Sequence, residues 1–177
     1  MLKPRIIPCL LIKDGELVKT KNFKDPKYIG DPINAVKIFN EKNADELVFL
    51  DITASSSGKE PNYDLIKKIV RECRMPLCYG GAIKNIKQVT KIIEYGVEKI
   101  AISSASIDNP QLLSDIAIEI GSQSLVVVQD IKYLNDTKEY TIFSKNGTSN
   151  TNLTISERIK YLEELGVGEV IINSIDR

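Results

Sequence analysis

Short runs rich in Val, Ile and Leu alternate with longer amphipathic segments along the whole chain. Such alternation is typical of α/β proteins in which a parallel sheet is buried on both faces. Six runs have the length and composition of buried strands: 5–12, 46–51, 76–79, 99–103, 125–130 and 169–173. Five segments with helical spacing separate them. The sequence therefore predicts a fold built from repeated strand–helix units.

The number of units limits which fold is possible. Six strands and five crossovers in 177 residues fall short of a closed (β/α)8 barrel, which has eight of each and takes about 250 residues. We therefore expect a single domain over residues 1–177 with the fold of an incomplete (β/α) barrel of about six parallel strands and five helices. The functional side chains of such folds lie on the loops that follow the strands.

Two long segments interrupt the repeat, and each is either a substrate lid or surface decoration. Residues 16–30 follow the first strand and are rich in lysine. Residues 132–151 follow the fifth strand and contain the alternating run Tyr140-Thr141-Ile142-Phe143. This alternation predicts a small hairpin insertion.

Helical spacing also predicts which side chains face the core. The first helix, which begins at Asp31-Pro32, is predicted to bury Ala35, Val36, Ile38 and Phe39. The fourth helix is predicted to bury Leu112, Leu113, Ile116 and Ile120.

Composition excludes several classes of function. Lys plus Arg and Asp plus Glu each number 24, so the chain lacks the basic surface of a nucleic-acid binder. No apolar run approaches the length of a membrane span, and the first residues do not resemble a signal peptide. We therefore expect a cytoplasmic protein with no nucleic-acid or membrane partner. Cys9, Cys73 and Cys78 are predicted to be reduced, buried thiols.

The absence of histidine constrains the chemistry further. It excludes Ser–His and Cys–His catalysis and argues against zinc, so no metal site is expected. Any acid–base chemistry must use carboxylates, lysines, cysteines or tyrosines.

The two ends of the chain repeat one another. The first strand ends Cys9-Leu10-Leu11-Ile12-Lys13 and the fifth ends Val128-Gln129-Asp130-Ile131-Lys132. This similarity is what duplication of a half-barrel would produce. It gives Leu11 and Asp130 equivalent positions in the two halves.

Several motifs resemble the cyclase subunit of imidazole glycerol phosphate synthase, the HisF family. The most specific is Phe49-Leu50-Asp51-Ile52-Thr53-Ala54-Ser55, and others lie at 5–10, 13–15, 18–19, 22–23, 30–32, 121–123 and 174–177. The similarity extends over nearly the whole chain. It implies a (β/α)8 barrel of two duplicated halves, each binding one phosphate of a bisphosphorylated substrate. It also implies a HisH-like glutaminase partner at the barrel base, which sends ammonia along the barrel axis.

For chemistry, the resemblance implies a lyase that forms imidazole glycerol phosphate and an aminoimidazole carboxamide ribonucleotide in histidine biosynthesis, without a cofactor. It makes Asp130 a catalytic general acid or base. The partner aspartate of the first strand is replaced by Leu11, whereas Cys9 and Asp51 are retained. From the residues alone, Asp130 and Asp51 could instead be helix caps or loop anchors, and Cys9 could be a core residue.

The resemblance also assigns phosphate-binding residues: Lys19, Gly80, Gly81, Ser103 and Ser104. Ala82 stands where the family has a third glycine. By composition alone, Lys19 could be a solvated charge and the glycine pair a tight turn. The second phosphate site would lie beyond Arg177.

At the base of the barrel the resemblance implies a ring of alternating charges that gates ammonia: Arg5, Glu46, Lys99 and Glu169. Glu98 would face the glutaminase. Alternatively, these charges simply solvate the starts of the strands.

Two further hypotheses stand beside the synthase, and Leu11 favours the first of them. A related branch of the family is associated with surface-polysaccharide (O-antigen) biosynthesis, where ammonia would serve acetamidino-sugar formation with a sugar amidotransferase as a possible partner. The third hypothesis is an inactive fragment, because the chain resembles a family member truncated at its carboxyl end.

Overall fold

The computed structural model describes residues 3–53 and 59–176. Ala54, Ser55 and Arg177, which belong to the motifs quoted above, lie outside these ranges. The elements within them are β1 (Cys9–Lys13), β2 (Glu16–Lys21), β3 (Lys24–Gly30), α1 (Pro32–Glu41), β4 (Leu47–Asp51), α2 (Tyr63–Glu72), β5 (Leu77–Gly80), α3 (Ile86–Glu94), β6 (Lys99–Ile102), α4 (Ala105–Asp108), α5 (Gln111–Ile120), a 3-10 turn (Ser122–Ser124), β7 (Leu125–Leu134), β8 (Glu139–Ser144), β9 (Ser149–Thr154), α6 (Ile155–Glu164) and β10 (Glu169–Ser174).

The predicted strand–helix repeat is confirmed. The six expected strands correspond to β1, β4, β5, β6, β7 and β10, and the five expected helices to α1, α2, α3, α5 and α6. The chain divides into two compact units. The first comprises Met1–Lys19 and Lys27–Ala101, and the second comprises Thr20–Pro26 and Ile102–Arg177.

In the first unit, β1, β4, β5 and β6 are parallel neighbours in that order. β2 runs antiparallel to β1, with Leu11 opposite Val18. Three of the helices begin at a side-chain cap, in which the carboxylate of Asp31 or the amide oxygen of Asn62 or Asn85 accepts a backbone N–H of the first turn. These caps satisfy N–H groups that have no partner inside the helix.

The core of the first unit lies between this sheet and its helices. Phe49 and Ile12 are fully buried on the strands, and Val36, Ile66 and Ile92 are buried on the helices. Burial of these side chains is the main force that holds the helices to the sheet.

In the second unit, β7 is ten residues long and pairs with both β10 and β8. β10 runs parallel to its first part, which places Asn173 beside Asp130. β8 runs antiparallel to its last part and is followed by β9. Helix α6 begins with a capping box, in which Thr154 and Glu157 satisfy each other's backbone N–H groups.

The tip of the β2–β3 hairpin also belongs to the second unit. Phe23 lies beside Gly147, in the turn between β8 and β9, where a Cβ would come 3.4 Å from the Phe23 ring. The same Cβ would come 2.9 Å from the side chain of Ile175. These three residues therefore pack together although they are far apart in the chain.

Two expectations about burial are wrong. Ile38 is 54% exposed, because it lies about 200° around the helix from the buried Val36. Cys9 is exposed and Cys73 is half-buried, so only Cys78 is the buried thiol that was expected. In the fourth predicted helix, Leu112, Leu113 and Ile116 are buried as predicted, whereas Ile120 is half-buried.

The lysine-rich segment 16–30 forms the two strands β2 and β3 rather than a loop. Within the described ranges, no helix has both the length and the apolar character that crossing a membrane requires.

Candidate active site

Asp130 lies on β7 in the second unit and is only 8% exposed. Its Oδ1 accepts a hydrogen bond of 2.7 Å from the side-chain amide of Asn173. Burial raises the pKa of Asp130 above its ordinary value, and the bond from Asn173 partly opposes this effect. A carboxyl group with a raised pKa can exchange protons closer to neutral pH, as general acid–base catalysis requires.

Replacing Asn173 with alanine is expected to raise the pKa of Asp130 further, because the variant loses a donor that stabilises the ionised form. An acid whose pKa is raised by folding stabilises the fold below its unfolded pKa. It loses that contribution as the pH rises through its folded pKa. Because the folded pKa of Asp130 is higher in Asn173→Ala, this loss of stability should continue to a higher pH in the variant. Carboxyl-carbon NMR titration would measure the shift, with the exposed Asn135→Ala as control. An unchanged or lower pKa would contradict the prediction.

Cys9 and Leu11 lie on β1 in the first unit. Burial raises the pKa of the Cys9 thiol to about 11, although part of the residue is exposed to solvent. The thiol is therefore protonated at neutral pH and is a weak nucleophile. Leu11 is half-buried and pairs with Leu50 of β4, so an apolar side chain stands where the resemblance implies an aspartate.

Asp51 ends β4 and is 7% exposed. Its Oδ1 accepts the backbone N–H of Thr53 at 2.9 Å, and the Thr53 hydroxyl accepts the backbone N–H of Asp14 at 2.8 Å. Asp51 therefore fixes the start of the loop after β4 and, through Thr53, the turn between β1 and β2. These contacts match the loop-anchor alternative for this residue.

Gly80 is the last residue of β5, and Gly81 follows it next to Asp51 in the same unit. A Cβ on Gly81 would lie 2.5 Å from the Asp51 carbonyl oxygen, and Gly81 has a φ of +130°. A Cβ on Gly80 would lie 2.7 Å from the carbonyl oxygen of Ala101. Close packing therefore requires glycine at both positions, and backbone conformation requires it at Gly81 as well, whether or not the turn also binds a phosphate.

The remaining predicted phosphate ligands lie in different places. Lys19 is exposed on β2 in the first unit. Ser103 and Ser104 lie in the second unit, where their carbonyl oxygens accept backbone N–H groups of Ser106 and Ile107 in the first turn of α4. The two serines therefore belong to a compact hydrogen-bonded turn directly after β6.

The structure brings three of the four predicted gate residues together in the first unit. Glu46 is 3% exposed, and its Oε2 accepts hydrogen bonds from Arg5 at 3.0 Å and from Lys99 at 2.8 Å. Glu169 begins β10 in the second unit and is half-buried. Two cations on one carboxylate form a connected charge cluster, which is stronger than an isolated surface pair.

Glu98 is exposed, and its carboxylate accepts the backbone N–H of Leu77 at 2.7 Å. Its own N–H donates to the Leu77 carbonyl oxygen at 3.0 Å. Glu98 therefore also stabilises the start of β5. Among residues 3–53 and 59–176, no group of three or more His, Cys, Asp or Glu side chains could hold a metal ion.

Sequence reasoning missed two residues of this region. Asn173 contacts Asp130 because the two are parallel neighbours in the sheet, and aligning the ends of the predicted strands could have indicated the pair. Arg158 is only 3% exposed and lies on the same helical face as the buried Leu162. A charged residue on an apolar stripe was the signal in that case.

Comparison with known proteins places the chain in a family. The family model described as "Histidine biosynthesis protein" matches residues 5–177. The chain is 54% identical over its whole length to the "Putative imidazole glycerol phosphate synthase subunit HisF" of Leptospira borgpetersenii, and covers 70% of that protein. It is 42% identical over its whole length to the "Imidazole glycerol phosphate synthase subunit HisF" of Hydrogenobaculum sp. (strain Y04AAS1), of which it also covers 70%.

These matches confirm the predicted family, whose fold is a (β/α)8 barrel. The six parallel strands and five crossover helices of this chain are consistent with an incomplete barrel of that kind. The chain therefore belongs to the histidine biosynthesis protein family and, within it, to the HisF-type subunits of imidazole glycerol phosphate synthase.

Proposed function

We propose that this chain is a synthase subunit that uses ammonia from a HisH-like glutaminase partner. It converts a bisphosphorylated substrate to imidazole glycerol phosphate and an aminoimidazole carboxamide ribonucleotide. The observation that carries this proposal is the buried carboxyl group of Asp130, which has a raised pKa and one amide donor. This is the residue that the family resemblance makes a general acid or base, and its environment suits proton transfer.

The charge cluster around Glu46 supports the ammonia part of the proposal. Arg5 and Lys99 both contact Oε2 of the Glu46 carboxylate, so two cations hold this group in place. In the proposed function these three residues of the first unit take part in ammonia gating, and Glu98 faces the glutaminase. A gating role is proposed separately for Glu169 in the second unit. Phosphate contact is proposed separately for Lys19 and the turn of Gly80 and Gly81 in the first unit, and for the turn of Ser103 and Ser104 in the second unit.

A second candidate function is favoured by Leu11. Leucine cannot transfer a proton, so the chain has one residue of the family's acid–base pair rather than two. In this alternative the subunit supplies ammonia for acetamidino-sugar formation by an amidotransferase and has little cyclase chemistry of its own.

The test of the proposed function is an assay with the full chain, an excess of ammonium and the bisphosphorylated substrate. The imidazole product is measured by mass spectrometry, with Asp130→Asn as the matched variant. We expect slow product formation that Asp130→Asn abolishes. No product from the folded chain would reject the synthase proposal. If such a chain still increased the glutamine hydrolysis of a HisH-like glutaminase, the ammonia-supply function would be favoured.

A further inference from the structure

Arg158 joins three elements of the second unit from a buried position. It lies in the first turn of α6 and is 3% exposed. Its Nε donates to the side-chain oxygen of Gln129 on β7 at 2.7 Å. Its Nη2 donates to the carbonyl oxygen of Ser106 on α4 at 2.9 Å and to the Ser106 hydroxyl at 2.8 Å.

The guanidinium of Arg158 carries a positive charge in a buried position. Within the part of the chain that the structure describes, no carboxylate lies within 4.0 Å of its guanidinium. All three hydrogen-bond acceptors are neutral groups. An arginine stays protonated in proteins, and burying a charge without a counter-ion is unfavourable. An apolar residue, like Leu162 on the same face, would pack in this position without that cost.

The acceptors of Arg158 are next to the proposed site residues. Gln129 directly precedes Asp130 on β7. The backbone N–H of Ser106 donates to the Ser103 carbonyl oxygen at 2.9 Å, in the turn that also contains Ser104. The guanidinium therefore connects the strand of the proposed acid–base residue with the turn proposed to bind phosphate.

We propose that Arg158 is a positioning residue that holds the Ser103–Ser106 turn against β7 and supplies a buried positive charge favouring a phosphate monoester at that turn. The inference rests on the phosphate role of Ser103 and Ser104 in the proposed function. Charges in a poorly solvated interior act over longer distances than charges in water. The cation can therefore stabilise a bound dianion without contacting it.

The test compares four variants of the full chain with the unmodified protein. Arg158→Met removes the charge and the hydrogen bonds, and Arg158→Lys retains the charge but loses the planar fork. Arg71→Met is the control: it makes the same Arg-to-Met substitution at an exposed arginine of α2. Ser103→Ala tests whether phosphate binds at the turn. Calorimetry measures the Kd for inorganic phosphate, and amide hydrogen exchange measures the opening of residues 103–109.

We expect Arg158→Met to weaken phosphate binding by about tenfold or more, which corresponds to about 1.4 kcal/mol. Arg158→Lys should recover part of the affinity, and Arg71→Met should leave it unchanged. Exchange in residues 103–109 should become faster in Arg158→Met and not in Arg71→Met. If Arg158→Met does not fold, Ser106→Ala replaces it, with faster exchange in the same residues as the expected result.

Equal phosphate affinity in the unmodified chain and Arg158→Met would overturn the inference and leave the proposed phosphate turn intact. Faster exchange throughout the chain, instead of mainly in residues 103–109, would also overturn it, because Arg158 would then be a general stability residue. If the unmodified chain binds no phosphate, or Ser103→Ala has no effect, the phosphate role of the turn is rejected and the charge part of the inference with it.

Discussion

Replacing Leu11 with aspartate is expected to raise the ammonia-dependent turnover of the chain by about 10²-fold or more, since a positioned general acid or base contributes about 10²–10⁴-fold. Leu11 is half-buried, so a carboxyl group there is not forced into a dry core. Its pairing partners in the sheet, Leu50 and Val18, contact it through the backbone ladder, which the substitution retains. The gain is measured as product formed in a single turnover at saturating ammonium.

Leu10→Asp is the matched control for this prediction. Leu10 is also half-buried on β1, but neighbouring residues of a strand face opposite sides of the sheet. An equal gain from Leu10→Asp would show that added charge, rather than a placed acid–base group, is responsible. If the unmodified chain already turns over as fast as Leu11→Asp, the leucine is tolerated and the ammonia-supply alternative should be dropped.

Replacing Glu46 with alanine is expected to lower the free energy of unfolding by about 3 kcal/mol, the loss typical when one partner of a buried ion pair is removed. Glu46 is buried and accepts from both Arg5 and Lys99. The Lys99 side chain is only 13% exposed, so water can replace little of the interaction that it loses with this carboxylate. Urea unfolding at neutral pH measures the change from the midpoint and slope.

Arg5→Ala should cost less than about 1 kcal/mol, because the Arg5 side chain is 48% exposed and water can replace much of its interaction. A loss below 1 kcal/mol for Glu46→Ala would contradict the view of this cluster as a buried charge network.

Local patterns were sufficient to predict the strands and helices whose apolar faces form the core. They were insufficient for β2 and β3, whose polar, lysine-rich residues carry no strong apolar alternation. The turn between β1 and β2 was indicated by the sequence Asp14-Gly15, a pair that favours tight turns in β-hairpins. Both residues have positive φ, as such a turn requires.

The candidate site was predictable only in part, because its residues differ in what determines their position. The family resemblance made Asp130 the candidate acid–base residue, and the strand pattern places it near the carboxyl end of a predicted strand. The amide of Asn173 depends on how two strands align, and the hydrogen bonds of Arg158 depend on packing between three elements. Interactions of this kind join residues distant in sequence. A local pattern can indicate that Arg158 is buried, but it does not say which groups Arg158 contacts.

The packing of Phe23 beside Gly147 and Ile175 has a consequence for the order of folding. During synthesis, Phe23 leaves the ribosome long before its two contacts exist, so this cluster can form only when the described chain is almost complete. Contacts between such distant residues close a large loop and are typical of slow, late steps. A nascent chain that is released early, or a fragment that begins after β6, would lack this contact and expose the Phe23 ring or its binding surface.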